Sequence, residues 1–349
     1  MRLSRRVDVG GVAVGGGAPV SIQSMCNTDT RDVDATVAQI LRLQGAGCEI
    51  VRVSVYDGDC VTAIRKICDR ISIPLVADVH FDHQLAIGAV ENGADKLRIN
   101  PGNIGGQDKI AVLADCCRSH GVPIRIGVNA GSLQKELVDR FGVTAQAMLH
   151  SALENVSLLE RQHFYDTVIS MKASNVPMMV AGYRLLADRT DYPLHLGVTE
   201  AGTERDALVK SAAGIGALLL DGIGDTVRVS ITGDPVKEIA AAREILCATG
   251  VRRGLELISC PTCGRCSMDI EAIANEVRRR LPESGAVLRI AVMGCAVNGP
   301  GEAREADVGL ACTRTGGVLF KKGKPLRKVS REALVDELMK EIYSMLEEA

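Results

Sequence analysis

Tryptophan is absent from the 349 residues, and aromatic residues make up only 3 % of them. Proteins that grip single-stranded nucleic acid stack bases on aromatic rings, so composition argues against that mode. An excess of one charge is also lacking. The 41 Lys and Arg offset 43 Asp and Glu for a net −2, and no long basic run occurs. Nucleic acid is therefore not expected as a main partner. No run of about 18 apolar residues offers a membrane span. The opening Met1-Arg2-Leu3-Ser4-Arg5-Arg6 is basic, but no apolar signal core precedes a small-residue cleavage site, and the expectation is a cytoplasmic protein. A Walker pattern, an internal repeat and a low-complexity tract are all missing. So is a G-x-G-x-x-G between a strand and a helix, which argues against a bound nicotinamide or flavin.

Apolar residues are plentiful, at 46 % of the chain, enough for two domains with a sizeable core. Residues 10–17 are glycine-rich but no helix follows them, as a phosphate loop would require. They read as a short hairpin at the floor of a barrel. Short β-branched runs then recur at 20–25, 49–53, 74–79, 96–100, 124–129, 167–172, 194–199 and 226–231. Helical patterns separate them, for example at 33–44, 84–92, 145–161 and 204–217. Eight strand–helix units in about 230 residues predict a (β/α)8 TIM barrel. A doubly wound open sheet is the alternative.

Active sites of such barrels sit at the C-terminal rim of the strands. That rim would carry Gln23, Asn27, Arg52, Ser54, Asp78, His80, Arg98, Asn100 and Arg125 from the first half. It continues with Asn129, Lys172, Ser174, His195, Thr199, Glu200, Arg228, Ser230 and Thr232. Val51-Arg52-Val53-Ser54 recurs as Val227-Arg228-Val229-Ser230, and period two puts each Arg and Ser on one face. A core strand has no structural need for an unpaired guanidinium. Internal ion pairing with Asp78, Glu200 or Asp225 would account for any single Arg. Four Arg and Lys172 together suit a multiply charged anion, because guanidinium forks match phosphate oxygens.

Residues 248–255 form a short linker, which sets a barrel domain at 1–250 apart from a smaller α/β domain at 256–349. The second domain reads as strands at 255–259, 287–293, 307–311, 317–320 and 328–329, with helices at 268–281 and 331–347, the last capped by Ser330. The chain has 12 cysteines, and without a signal peptide these argue for reduced thiols. Cys26, Cys48, Cys60, Cys68, Cys116, Cys117, Cys247 and Cys312 show no ligand spacing and read as filler. Cys260-Pro261-Thr262-Cys263-Gly264-Arg265-Cys266 and Val292-Met293-Gly294-Cys295 are different. Thiols spaced C-x2-C-x2-C in tight turns, with one remote Cys, suit a [4Fe–4S] cluster. Zinc is the alternative, although a structural zinc site more often uses two knuckles. Buried, inert cysteine is the remaining one.

These two motifs, the second running on through Ala296-Val297-Asn298-Gly299-Pro300-Gly301-Glu302, resemble the 4-hydroxy-3-methylbut-2-enyl diphosphate synthase family over nearly the whole chain. The resemblance implies a [4Fe–4S] cluster held by Cys260, Cys263, Cys295 and Glu302, with Cys266 extra to the pattern. It implies a catalytic carboxylate at Glu200, and a polar pair near the substrate at Asp78 and His80. The Arg, Lys172, Asn100, Asn129, Ser174 and Ser230 set would hold the diphosphate. The implied reaction is reductive ring opening and dehydration of 2-C-methyl-D-erythritol 2,4-cyclodiphosphate, with ferredoxin or flavodoxin as electron donor. The rival reading is a zinc-ribbon protein that binds a phosphorylated ligand without redox chemistry. The short linker, with the resemblance, leads to one further expectation: a homodimer in which each cluster domain caps the partner's barrel.

Overall fold

The computed structural model describes residues 2–266, 268–282, 286–295 and 305–347, and the chain divides into two compact units, Met1–Arg252 and Arg253–Ala349. Glu302 lies outside the described residues.

The first unit opens with a hairpin, β1 (Val7–Val9) and β2 (Val12–Val14). Its turn residues Gly10 and Gly11 have φ of +54° and +89°, the left-handed pair that a tight two-residue hairpin requires. Eight parallel strands follow: β3 (Ser21–Met25), β4 (Ile50–Val55), β5 (Leu75–Val79), β6 (Lys96–Ile99), β7 (Ile124–Asn129), β8 (Thr167–Lys172), β9 (His195–Leu196) and β10 (Thr226–Val227). The ladder runs β8-β7-β6-β5-β4-β3-β10-β9, and a parallel bridge between Ile169 and Leu194 closes it into a barrel.

The helices between the strands form because apolar residues recur at helical spacing, as in Val37, Ile40 and Leu43 of the helix Val33–Gly45. Side-chain caps start several of them just past the strand ends. Asp57 accepts from the Cys60 N–H at 2.8 Å, and Asp82 from the Gln84 N–H at 2.8 Å. These caps fix the rim loops.

Period two then sorts the strand side chains. Ile50, Val76 and Val168 turn inward and cluster with Val7, Val9 and Val14, so the hairpin plugs the barrel floor with apolar surface. Two residues further along the same strands stand Arg52, Asp78 and Ser170, which line a cavity at the other end.

Two strands are shorter than the β-branched runs suggest, with β9 and β10 only two residues each. Beyond Leu196 comes Gly197, where a Cβ would lie 2.7 Å from the Arg228 carbonyl and 2.9 Å from Lys172 Nζ. The chain there makes room for cationic side chains and leaves the regular ladder.

The second unit carries a five-stranded sheet: β11 (Leu255–Ser259), β12 (Leu288–Met293), β13 (Val308–Thr313), β14 (Gly316–Lys321) and β15 (Lys324–Ser330). The first three strands are parallel and the last two antiparallel. Helices Ile270–Arg280 and Leu334–Glu347 contribute to one apolar core with β12 and β13, built from Ile270, Val277, Ile290, Val292, Leu310, Leu338 and Ile342. The expected helix at 331–347 begins instead as a 3-10 turn, Arg331–Ala333, and Ser330 makes no side-chain cap bond.

Candidate active site

One cavity at the C-terminal mouth of the barrel is lined by Arg52, Asp78, His80, Arg98, Arg125, Asn129, Ser170, Lys172, Thr199, Arg228 and Ser230. All but Ser170 belong to the rim set expected from the alternating strands. Asp78 sits among the cations. Arg98 Nη1 donates to Asp78 Oδ1 at 3.1 Å, and Arg52 lies 3.7 Å away. Burial alone would raise the Asp78 carboxyl; Arg52, the His80 hydrogen bond and Arg98 outweigh it and hold the group well below the usual carboxylate range. Burial pulls the Arg52 guanidinium down to about 10, against the opposing pull of Asp78. Lys172 is lowered by burial and by Arg125 and Arg228. Asp78 in the cavity, with Glu238 behind Arg228, against Arg52, Arg98, Arg125, Arg228 and Lys172 leaves a positive excess that a multiply charged anion would balance.

Glycine makes this convergence possible. A Cβ on Gly127 would lie 2.4 Å from Arg98 Nε, so the guanidinium crosses the β7 backbone where only glycine leaves space.

Arg228 is held from behind by a residue that the strand pattern does not reveal. Glu238, 2 % exposed, belongs to the first turn of the helix Val236–Ala248. Its carboxylate accepts from Arg228 Nε at 3.2 Å and Nη2 at 3.1 Å. It also accepts from Ser24 Oγ at 2.8 Å and the Ile231 N–H at 3.2 Å. In the sequence Glu238 looks like an ordinary acidic residue at a helix start, which is why sequence reasoning passes over it. Neither Glu200 nor Asp225 is the Arg counter-ion. Asp225 accepts from Ser4 Oγ at 2.6 Å and the Leu194 N–H at 2.8 Å. Glu238→Ala is expected to lower stability by about 3–5 kcal/mol, because it strands a largely buried guanidinium. Urea denaturation at neutral pH checks this, and a loss below about 1 kcal/mol would reduce the pair to a surface contact.

A larger cavity adjoins through Asn129 and Thr199, and is also lined by Gly131, Ser132, Ser174, Met178 and Glu200. Glu200 is exposed and has φ +52°. The next helix starts only at Glu204, after Thr203, so Glu200 is not a carboxylate of that helix's first turn.

Other rim residues take different places. Asn100 accepts from the Gly102 N–H at 3.2 Å and caps the turn Pro101–Ile104, and it lines neither cavity. Asn27 pairs with Gln39 at 2.6 Å. The Thr232 N–H binds the Gly202 carbonyl at 3.1 Å. Gln23 and His195 lie deeper, fully buried, with no hydrogen-bond partner on the Gln23 amide or on either His195 ring nitrogen among the described residues.

In the second unit, β11 and β12 are parallel neighbours with Ser259 beside Val292. Cys260 and Cys295 therefore follow the C-terminal ends of adjacent strands. The Gly294 N–H donates to Cys260 Sγ at 3.1 Å, a bond that stabilises a thiolate. A Cβ on Gly294 would meet Cys266 Sγ at 2.6 Å and Cys260 Sγ at 3.2 Å. Cys263 is exposed in the intervening turn. Cys266 Sγ donates to the Met268 carbonyl at 3.1 Å. The donor types suit an iron–sulfur cluster, although the described residues contain no preassembled group of three or more His, Cys, Asp or Glu able to hold a metal. Of the remaining cysteines, Cys26, Cys48, Cys60, Cys117 and Cys312 are buried. Burial pushes the thiols of Cys26 and Cys48 up to about 12, which makes them inert. No helix among the described residues is long and apolar enough to cross a membrane.

Residues 4–243 match the GcpE TIM-barrel domain, and residues 256–344 match the GcpE protein C-terminal domain. The chain is 55 % identical over 344 residues to the 4-hydroxy-3-methylbut-2-en-1-yl diphosphate synthase (flavodoxin) of Clostridium perfringens, covering 98 % of this chain and 99 % of that one. It is 54 % identical over 347 residues to the enzyme of the same name from Geobacter sulfurreducens, covering 99 % and 98 % respectively. Among solved structures, dihydropteroate synthase from Stenotrophomonas maltophilia superposes with a TM-score of 0.51 at 16 % identity, over 70 % of this chain and 98 % of that one. At that identity the likeness is one of barrel fold alone.

Proposed function

The chain belongs to the GcpE family, and from that premise we propose that it reduces 2-C-methyl-D-erythritol 2,4-cyclodiphosphate to 4-hydroxy-3-methylbut-2-enyl diphosphate. The observation that carries this reading is the convergence of Arg52, Arg98, Arg125, Arg228 and Lys172 on one cavity, against two buried carboxylates, Asp78 in the cavity and Glu238 behind Arg228. A small diphosphate fits that charge, and guanidinium forks fix its orientation. The reaction takes up two electrons and, on balance, one proton: a ring C–O bond breaks, one hydroxyl leaves as water with that proton, and the freed diphosphate oxygen carries the additional negative charge. The cationic mouth stabilises the charge as it develops. Glu200, in the adjoining cavity with Ser174 and Asn129, moves a proton to the departing hydroxyl. His80, within reach of Asp78 and Arg98, orients the ring side of the substrate.

Cys260, Cys263 and Cys295, with Glu302 as fourth ligand, would hold a [4Fe–4S] cluster. When bound, that cluster supplies electrons singly to the reduction. The named relatives use flavodoxin, and a flavodoxin is the donor we assign here. The hydrogen bond from Cys266 to Met268 supports leaving Cys266 outside the ligand set. Cys266→Ser is therefore expected to keep its iron and most activity, and Glu302→Ala to lose both. Iron and labile sulfide, measured after anaerobic purification, check the pair. Loss in Cys266→Ser with retention in Glu302→Ala would reverse the assignment, and a colourless protein carrying zinc would favour phospho-ligand binding without redox chemistry.

The active form is a homodimer in which each cluster domain serves its partner's barrel. Glu200→Gln and Cys295→Ser chains, each inactive alone, should then complement one another. Random exchange makes about half the dimers mixed, so roughly a quarter of wild-type activity should return. Confirmed exchange with no recovered activity would confine the site to one chain.

A further inference from the structure

Beneath the cationic mouth, and sharing Arg125 with it, lies a deeper polar layer whose other members the reaction above does not use. Lys96 stands two residues before Arg98 on β6, one strand repeat or about 6.5 Å deeper. It pairs in register with Val76, a residue of the apolar floor. Lys96, Arg125 and His195 are all 0 % exposed. Lys96 Nζ, Arg125 Nε and Nη1, both His195 ring nitrogens, the Gln23 amide and the hydroxyls of Ser21, Thr167 and Thr226 make no hydrogen bond among the described residues. Natural cores pair nearly all such groups, so a fully unpartnered layer under a ligand cavity points to a role in binding.

The charged neighbours of Lys96 are Arg125 on β7 and Arg52 on β4, both cations. His195 on β9 in turn faces Arg125, Lys172 and Lys96. The Asp78 carboxylate on β5 is committed to Arg98, Arg52 and His80. Gln23, Thr167 and Thr226, from β3, β8 and β10, are neutral. A guanidinium keeps its proton in a protein, whereas a buried amine gives its proton up readily. Of the two cations buried side by side, Lys96 is the one that yields.

Resting on the diphosphate reading of the mouth, we infer that Lys96 is a proton-binding positioning residue: a neutral amine in the free barrel that takes a proton from solvent when a diphosphate enters, and returns it on release. The device gives the ligand an extra cation without burdening the free interior with it. It also suits a reaction whose product carries one more negative charge than its substrate. Burial, then Arg125 and Arg52, lower the amine well below its ordinary 10.5, in keeping with this. The sign for stability follows. Between the lowered value and 10.5 the unfolded chain binds a proton that the folded chain does not, so this residue makes stability rise with pH across that window. Lys96→Met should remove that rise and increase the melting temperature at neutral pH.

The test is calorimetric titration of the full-length protein with inorganic pyrophosphate near pH 7.5, in buffers of different ionisation enthalpy. Wild type should take up about one proton more than Lys96→Met, because contributions from Lys172, His195 and the ligand itself cancel in the difference. The affinity ratio of wild type to variant should accordingly fall by up to about tenfold per pH unit as pH rises. Lys96→Gln provides a second comparison should the methionine variant not fold. Pyrophosphate binding with equal proton uptake in wild type and variant overturns the inference alone. No pyrophosphate binding by wild type would overturn the anion-site reading as well.

Discussion

Glu200→Gln is expected to lower kcat by about 10²–10⁴-fold, the range over which a positioned acid or base contributes, while diphosphate affinity and iron content stay near wild type. The side chain sits in the loop that follows β9, between Thr199 and Ala201, in the cavity that adjoins the anion site. Its backbone is held at φ +52°, a conformation that costs a non-glycine residue about 1–3 kcal/mol and that clusters at functional sites. Helix capping does not explain it, since the next helix begins at Glu204. Glutamine keeps the size and the hydrogen-bonding oxygen but cannot carry the proton. Single-turnover measurements separate chemistry from binding. Near-normal turnover would leave Glu200 as a loop residue and move the acid elsewhere.

Arg98→Met is expected to weaken diphosphate binding at least thirtyfold, or about 2–5 kcal/mol, the cost of truncating one partner of a buried charge pair. Arg98 is central among the mouth cations. It bonds Asp78 at 3.1 Å, lies 3.2 Å from a His80 ring nitrogen, and crosses the β7 backbone at Gly127. Arg98→Lys keeps the charge and loses the fork, so it should fall between wild type and methionine. Titration with pyrophosphate reads both variants. An unchanged affinity in Arg98→Met, with the fold intact, would mean that the guanidinium serves Asp78 rather than the ligand.

The barrel was legible because its signal is local. β-branched runs and amphipathic helices alternate, and period two forces Arg52 with Ser54, and Arg228 with Ser230, onto the inner face. The residues that fix those arginines were less legible. Glu238 reaches Arg228 across a turn of ten residues, and nothing in its own neighbourhood distinguishes it from a helix-start carboxylate. The shortness of β9 and β10 depends on the fit of Gly197 against Lys172 and Arg228, a contact among three strands. Lys96 reads as part of an ordinary barrel strand and His195 as a rim residue, and only burial without partners sets the two apart. Asn100 stands at a strand end, and the cap that its side chain gives the Gly102 N–H is not visible in the strand pattern. The cysteine spacing supports the proposal of a metal or cluster site, whereas the proposal of Glu302 as fourth ligand rests on family resemblance.

The central claim is reductive opening of a cyclic diphosphate by an iron–sulfur barrel enzyme. Its most direct test is turnover of 2-C-methyl-D-erythritol 2,4-cyclodiphosphate by anaerobically purified, iron- and sulfide-replete protein with reduced flavodoxin. The account predicts linear 4-hydroxy-3-methylbut-2-enyl diphosphate, with two electrons consumed for each molecule formed. Intact cyclodiphosphate after incubation with cluster-loaded protein and reduced donor would contradict it.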